Sequence, residues 1–567
     1  MPTISCNIKD LCLLLPSSLS LEELKYALEK AKAEIKEYLE ETGEIKIEIA
    51  DTNRPDLWSP EGLARQIRGA YFKEPLVEYK FFNEKPVGEI KVHPNLKDIR
   101  PYIGAFLVEN LVISEDILLS LIQTQEKLAD NFGRKRETIA IGIYNAKKIT
   151  FPLSYTGVEP LKTRFIPLEF TEALTLEEIL KIHPKGKEYG HLVKDSPVYP
   201  VIIDSRENIL SFPPIINSAS AGKVKVGDDY LFVEVTGKDL RAVHLTINIL
   251  ACNLADRGGE IKPLAIIYPE KVVTPQPITD TIKLNINYLN KILGENLSSE
   301  EIKFHLNQMG HKIVEEKDGV FICQSPPYRM DCMHEVDLIE DFAIARGYDT
   351  FTPKPLTKFT LGRISPFVEE SLVIRDIMIG MGFEEFITYI LNSRENLFTK
   401  MNIPGGEAIE IENIMSERYA ILRPLILPSL LEIESKNAKV EYPHKIFELG
   451  EVVEVDSKEN YGCKTTLHLG ALLAYPKATF SELQSYLQAL FYYYAGEKLI
   501  LEPANFSFLI PGRTGEIILS KQKVGFIGEV HPAVLTNWGI IVPTVAFEID
   551  IRKVKKSYED GRIKKAV

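Results

Sequence analysis

Two proline-punctuated joints limit what this chain can fold into: VVTPQPITD at 272–280 and TFTPKPLTK at 350–358. Proline lacks the N–H that a helix interior or a central strand requires, so no regular element runs through either stretch. A chain of 567 residues cut in this way reads as several compact units rather than one. We read an N-terminal α/β domain over 1–85, a domain of mixed strands and helices over 86–270, a small module over 271–352, and a last unit over 357–567. With 45% hydrophobic and 26% charged residues, each unit has the material for an ordinary packed core. The expected class is α+β multidomain.

Local signals fill in the units. Ser20-Leu-Glu-Glu23 is a capping box that predicts a helix through about Tyr38, ended by Gly43, followed by the alternating strand EIKIEIAD. Strand-like runs such as YIGAFLVENLVI, ETIAIGIYN and YLFVEVTG mark the second domain. The module reads as helix, capped helix from Ser298, hairpin turning at Asp318-Gly319, then a helix from about His334 to Arg346 stopped by Gly347: a winged-helix-like layout. The last unit reads as an antiparallel sheet with helices on one face, including helices from Ser365 to about Met381 and from Phe480 to Ala495.

Composition narrows the partners. The net charge of −13 opposes diffuse binding to polyanions, so nucleic acid has to land on focal basic clusters: RKR at 134–136, Lys223 with Lys225, and RKVKK at 552–556 followed by RIKK. Six cysteines without a CxxC pair argue against a disulfide scaffold or zinc cluster and for a reducing cytoplasm. The first residues do not read as a signal peptide, and no membrane span is expected.

Two constellations carry candidate chemistry. In PPYRMDCMHEVDLIEDFAIARGYD, Asp337, Glu340 and Asp341 share one helix face, with Asp331 just upstream. Crowded carboxylates need a cation or a basic partner, and oxygen-only ligands suit Mg²⁺; the bland alternative is that they complement a helix dipole. In ILSFPPIINSASAGKVKVGDDYLFVEVTGKD, Ser211, Asn217 and Glu234 are polar groups among apolar strands, placed for a pocket or, more plainly, for turn caps and solvent. The chain carries no GxxxxGK[ST] loop, no GxGxxG after a strand, no GxSxG and no HExxH. Self-contained nucleotide chemistry is not expected.

In order along the chain, DTNRPDLWSPEGLAR, RKRETIAIGIYN, YPVIIDSRENILSFPPIIN, FVEVTGKD, PPYRMDCMHEVDLIEDFAIARGYD, ILRPLILPSLL, KIFELGEV, PGRTGEI and GEVHPAVL resemble the β-subunit family of phenylalanine–tRNA ligases in its archaeal and eukaryotic cytosolic form. The resemblance spans nearly the whole length. It implies an α2β2 enzyme in which the α chain joins phenylalanine to tRNA(Phe) with ATP, while this chain supplies scaffold, partner surface and hydrolytic editing of Tyr-tRNA(Phe). It implies Mg²⁺ ligands at Asp331, Asp337, Glu340 and Asp341, and an editing pocket at Ser211, Asn217 and Glu234. The last unit then resembles a class II synthetase core without catalytic motifs, with Arg423 lacking its FRxE context. The sequence departs from the family at Ser220, and at Tyr144-Asn145 where His-Asp is common, which bears on the editing expectation. Two other readings follow from the residues: a non-catalytic nucleic-acid-binding scaffold, and a free-standing deacylase.

Overall fold

The computed structural model describes residues 2–75, 77–220, 223–278, 280–519 and 521–554, with the backbone alone of 558–559 and 562–563. The chain divides once by compactness, into Met1–Pro355 and Leu356–Val567, inside the second proline joint. Among the described residues no helix is long and apolar enough to cross a membrane.

The first unit opens with a three-stranded sheet in which Glu44–Ile49 lies between Thr3–Asn7 and Ala33–Leu39. The expected helix from Ser20 is real but stops at Glu29. AEIKEYL forms a strand because it can pair antiparallel with EIKIEI, and that partner outweighs its helical composition. Ser59 caps the helix Pro60–Ala70.

The next sheet has ten strands, with Leu231–Gly237 hydrogen-bonded between Tyr102–Glu109 and Ile139–Asn145. Its tenth strand, Lys271–Thr274, pairs with Glu260–Ile267, so the linker expected from 272 starts after Thr274. Alternation along Leu231–Gly237 decides which side chain goes where. Val233 and Val235 join a core with Val243, Ile247 and Leu250 of the helix Leu240–Asp256, and Phe232 packs into a second core with Tyr144, Ala105 and Ile103. Glu234 shares the Phe232 side, inside protein. The first of these cores continues through Leu24, Ile45 and Leu63, so the N-terminal segment and this sheet share apolar packing. Buried ion pairs cross the same seam: Arg257 with Asp10 and Glu61, and Arg65 with Asp256.

Beyond the joint, a strand at Thr281–Asn285 precedes the expected elements and completes a three-stranded sheet with Lys312–Lys317 and Val320–Gln324. Asp318 and Gly319 turn the hairpin with φ of 51° and 73°. The helix Glu335–Arg346 is capped by His334 and stopped by Gly347 at φ 100°.

In the second unit a seven-stranded sheet is antiparallel except for the short parallel edge of Glu384–Glu385 against His444–Val455. Helices cover both faces rather than the one expected. Phe447, Leu473 and Phe547 meet the helices Pro366–Gly380 and Phe480–Tyr494, whereas Ile446, Leu472 and Ala546 meet Leu427–Lys436 and Pro532–Trp538. Both side-chain registers of these strands are apolar, so each face needed a cover.

Candidate functional site

Ser211, Asn217 and Glu234 come together. Ser211 and Asn217 are cross-strand partners in the pair Ile209–Phe212 and Ile216–Asn217. Glu234 lies opposite Gly142 across the central ladder. All three line a cavity of about 220 Å³ with Arg136, His183 and Lys185. That is below the ~300–1,000 Å³ of drug-sized sites and suits a single amino-acid side chain.

Tyr144, absent from the expected set, ties the group together: its Oη donates to Glu234 Oε1 at 3.0 Å or to Asn217 Oδ1 at 3.1 Å. Burial pushes the Glu234 carboxyl up to about 7, against the opposing pull of Tyr144 and Arg100. Glu234 Oε2 is buried and has no hydrogen-bond partner, whereas the buried Ser211 hydroxyl has Tyr144 as its side-chain partner. Buried polar atoms are almost always satisfied, so this oxygen marks the place where a ligand would bind.

The walls are held by cations that the sequence presents only as a basic run. Arg134, Lys135 and Arg136 all have positive φ, at 49°, 53° and 66°. Each such residue costs on the order of 1–2 kcal/mol. Arg100 offsets this by donating to the carbonyls of Arg136 and Glu137, and also to Thr236 on the Glu234 strand. Arg136 donates to the carbonyls of Pro214 and Ile215 at 3.0 Å and lies over the Tyr189 ring. It is therefore part of the wall and not a free landing site. Asn145 is structural, donating to Asp228, and Ser220 contacts Ser218. Of the C-terminal basic run, Lys555, Lys556 and the RIKK lysines lie outside the described residues, and only backbone is described at Arg562 and Ile563.

The acidic residues expected to hold Mg²⁺ go separate ways in the structure. Arg329 donates to Asp331 through Nε and Nη2, at 3.0 and 2.6 Å, and to Asp341 through Nη1 at 2.6 Å. Asp341 also meets His311 Nε2 at 2.5 Å. Asp337 turns back onto the backbone N–H groups of Met333 and His334, capping its own helix. Glu340 is half-exposed and pairs with Lys32. Burial raises the Asp341 carboxyl, but Arg329 and His311 outweigh it and hold it well below the usual range. The crowding is resolved by a basic partner. Mg²⁺ wants a near-octahedral oxygen shell, and here a guanidinium stands between two of the four carboxylates, so these residues as arranged do not fit the ion. His311, Cys332 and Asp341 have donor atoms within 4.8 Å of one another, yet Arg329 Nη2 is 3.1 Å from the Cys332 sulfur and fills that space too. Removing divalent cations with EDTA is accordingly expected to leave the unfolding temperature within about 1 °C. A drop of several degrees, reversed by Mg²⁺, would restore an ion to this helix.

In the second unit Arg423 is buried and committed, donating to Glu448 at 2.6 Å and to Thr388 Oγ1 at 2.6 Å. It is not free to meet a nucleotide phosphate.

Residues 282–348 match the family model of the tRNA synthetase B5 domain, and 353–551 that of the phenylalanyl tRNA synthetase beta chain CLM domain, which places the chain among aminoacyl-tRNA synthetase components. It is 42% identical over 556 residues to the phenylalanine–tRNA ligase beta subunit of Pyrococcus abyssi, covering 97% of this chain and 99% of that one. It is 40% identical over 544 residues to the beta subunit of Borreliella burgdorferi strain ZS7, covering 94% and 95%. A crystal structure of an N-terminal fragment of the Pyrococcus horikoshii phenylalanyl-tRNA synthetase beta subunit matches with 41% identity and a TM-score of 0.59, over 61% of this chain and all of that one. The chain belongs to the phenylalanine–tRNA ligase beta-subunit family.

Proposed function

We propose that this chain is the non-synthetic subunit of an α2β2 phenylalanine–tRNA ligase, and that its own chemistry is hydrolysis of Tyr-tRNA(Phe) in the Glu234 pocket. The observation that carries the reading is the open, buried oxygen of Glu234 in a cavity of side-chain size that Ser211 and Asn217 also line. A synthetic pocket shaped for phenylalanine rejects an added hydroxyl poorly, whereas a site built to bond that hydroxyl selects for it strongly. Glu234 accepts from the tyrosyl hydroxyl, and Ser211 and Asn217 orient substrate or water. Water adds to the ester carbonyl, the bond to the tRNA ribose oxygen breaks, and the proton of water goes to that oxygen.

Phenylalanine, ATP and its Mg²⁺ are assigned to the α chain. The domain assignment follows: 86–270 edits and meets tRNA, 271–352 is the winged-helix-like module, and 357–567 is the synthetase-like core that packs against α, all in a cytoplasmic enzyme. Phe359, Leu361, Ile387, Tyr389 and Met415 are each at least 74% exposed in that last unit, and large apolar exposure of this kind is expected at a partner surface.

The test is deacylation of Tyr-tRNA(Phe) and Phe-tRNA(Phe) by the assembled enzyme. Preferential hydrolysis of the tyrosyl ester is expected; equal rates for both, at the uncatalysed level, would refute the reading. Co-expression with α is expected to yield a stable complex of equal chain numbers, checked by native mass spectrometry.

A further inference from the structure

Tyr144 is fully buried behind the pocket wall and stacks on Phe232 with ring centroids 5.6 Å apart. It is not among the side chains that line the cavity, whereas Glu234, Asn217 and Ser211 are. Its hydroxyl holds one oxygen of Glu234 and leaves the other, Oε2, buried and open. Gly142 makes the arrangement possible: a Cβ there would stand 2.2 Å from Glu234 Oε1 and 2.3 Å from Tyr144 Oη. The chain thus contains a phenol donating to Glu234, which is the contact an edited tyrosyl group would make.

Resting on the editing reading, we propose that Tyr144 is the specificity-determining positioning residue of this pocket: its phenol holds Glu234 by Oε1, so that Oε2 alone is offered, and offered to a hydroxyl on an aromatic ring. A side chain without that hydroxyl would cover Oε2 and leave it unpaired, and this is the basis of rejection. The phenol has one proton and two acceptors within reach. When Glu234 is ionised the proton belongs on Oε1; when Glu234 is protonated the acid donates to the phenol oxygen, and the phenol turns to Asn217. Orientation and protonation are therefore coupled. The Tyr144 hydrogen bond favours the ionised carboxylate, opposing the burial that raises it.

The test is Tyr144→Phe in the assembled enzyme, with kcat and KM for Tyr-tRNA(Phe) and Phe-tRNA(Phe) measured across the pH range around neutrality. The expected result is a roughly tenfold rise in KM for the tyrosyl ester with a smaller change in kcat, a roughly tenfold loss of tyrosine preference, and an acid limb moved to higher pH. Asn217→Ala removes the competing acceptor and is expected to move that limb the other way, which keeps the idea testable should Tyr144→Phe fail to fold. If both variants keep the wild-type preference and acid limb while Glu234→Gln loses them, the role of Tyr144 is overturned and the editing reading stands. If wild type shows no tyrosine preference, the editing reading falls and this inference falls with it.

Discussion

Glu234→Gln is expected to slow hydrolysis of Tyr-tRNA(Phe) by the assembled enzyme about 10- to 100-fold, with little effect on attachment of phenylalanine. The substitution keeps shape and replaces a charged acceptor by a neutral amide. Hydrogen bonds to charged groups contribute about 1.5–3 kcal/mol, and each 1.4 kcal/mol is about a factor of ten. Wild-type hydrolysis is expected to rise with pH through about 7, where Glu234 becomes an ionised acceptor, and the variant to lack that rise. Stability runs in the opposite direction. The folded carboxyl is raised from 4.5 to about 7, so the native state is at its full stability below the lower value and loses stability as pH rises toward and through the higher. A shift of that size is worth on the order of 3 kcal/mol. The variant is therefore expected to be less editing-competent yet more stable than wild type at pH about 8, as read by chemical denaturation. Equal hydrolysis rates in the two proteins would remove Glu234 from the site.

The second large effect is expected at Arg329. Arg329→Met strands Asp331 and Asp341 in the interior without their shared guanidinium, and breaking a buried pair in this way costs about 3–5 kcal/mol. A fall of roughly 10 °C in the unfolding temperature follows. In wild type the Asp341 carboxyl is held below its ordinary 3.8, so the stability it contributes is present above that value and is lost as pH falls through the folded pKa. The variant should have a weaker acid loss, and adding Asp331→Asn and Asp341→Asn should recover part of the stability. An unfolding temperature within about 2 °C of wild type in Arg329→Met would show that another cation carries the neutralising role.

Much of this was legible in the sequence wherever the signal is local. Ser20, Ser298 and Ser365 each cap a helix through a backbone N–H, and Asp318-Gly319 and Gly347 sit where left-handed backbone was needed. Ser211, Asn217 and Glu234, which line one cavity, are marked by the family resemblance; spacing alone favours caps and solvent. What the sequence hides depends on distant partners. AEIKEYL has helical composition and became a strand because a complementary ladder lay within reach. The carboxylate face was read with a metal in mind, since nothing in its i, i+3, i+4 spacing reveals that Arg329, upstream of the helix, turns inward between Asp331 and Asp341. Tyr144 was visible as a departure from the family, but its hydroxyl landing on Glu234 follows from strand register and from the missing side chain at Gly142.

The division of labour between the two subunits is tested most directly by phenylalanine-dependent exchange of pyrophosphate into ATP, measured with the purified chain alone and again with its α partner. The account predicts no exchange above background from the chain alone and full exchange from the complex, because Arg423 is locked onto Glu448 and the chain carries no phosphate-binding loop. Exchange by the isolated chain, sensitive to substitutions in its own last unit, would contradict it.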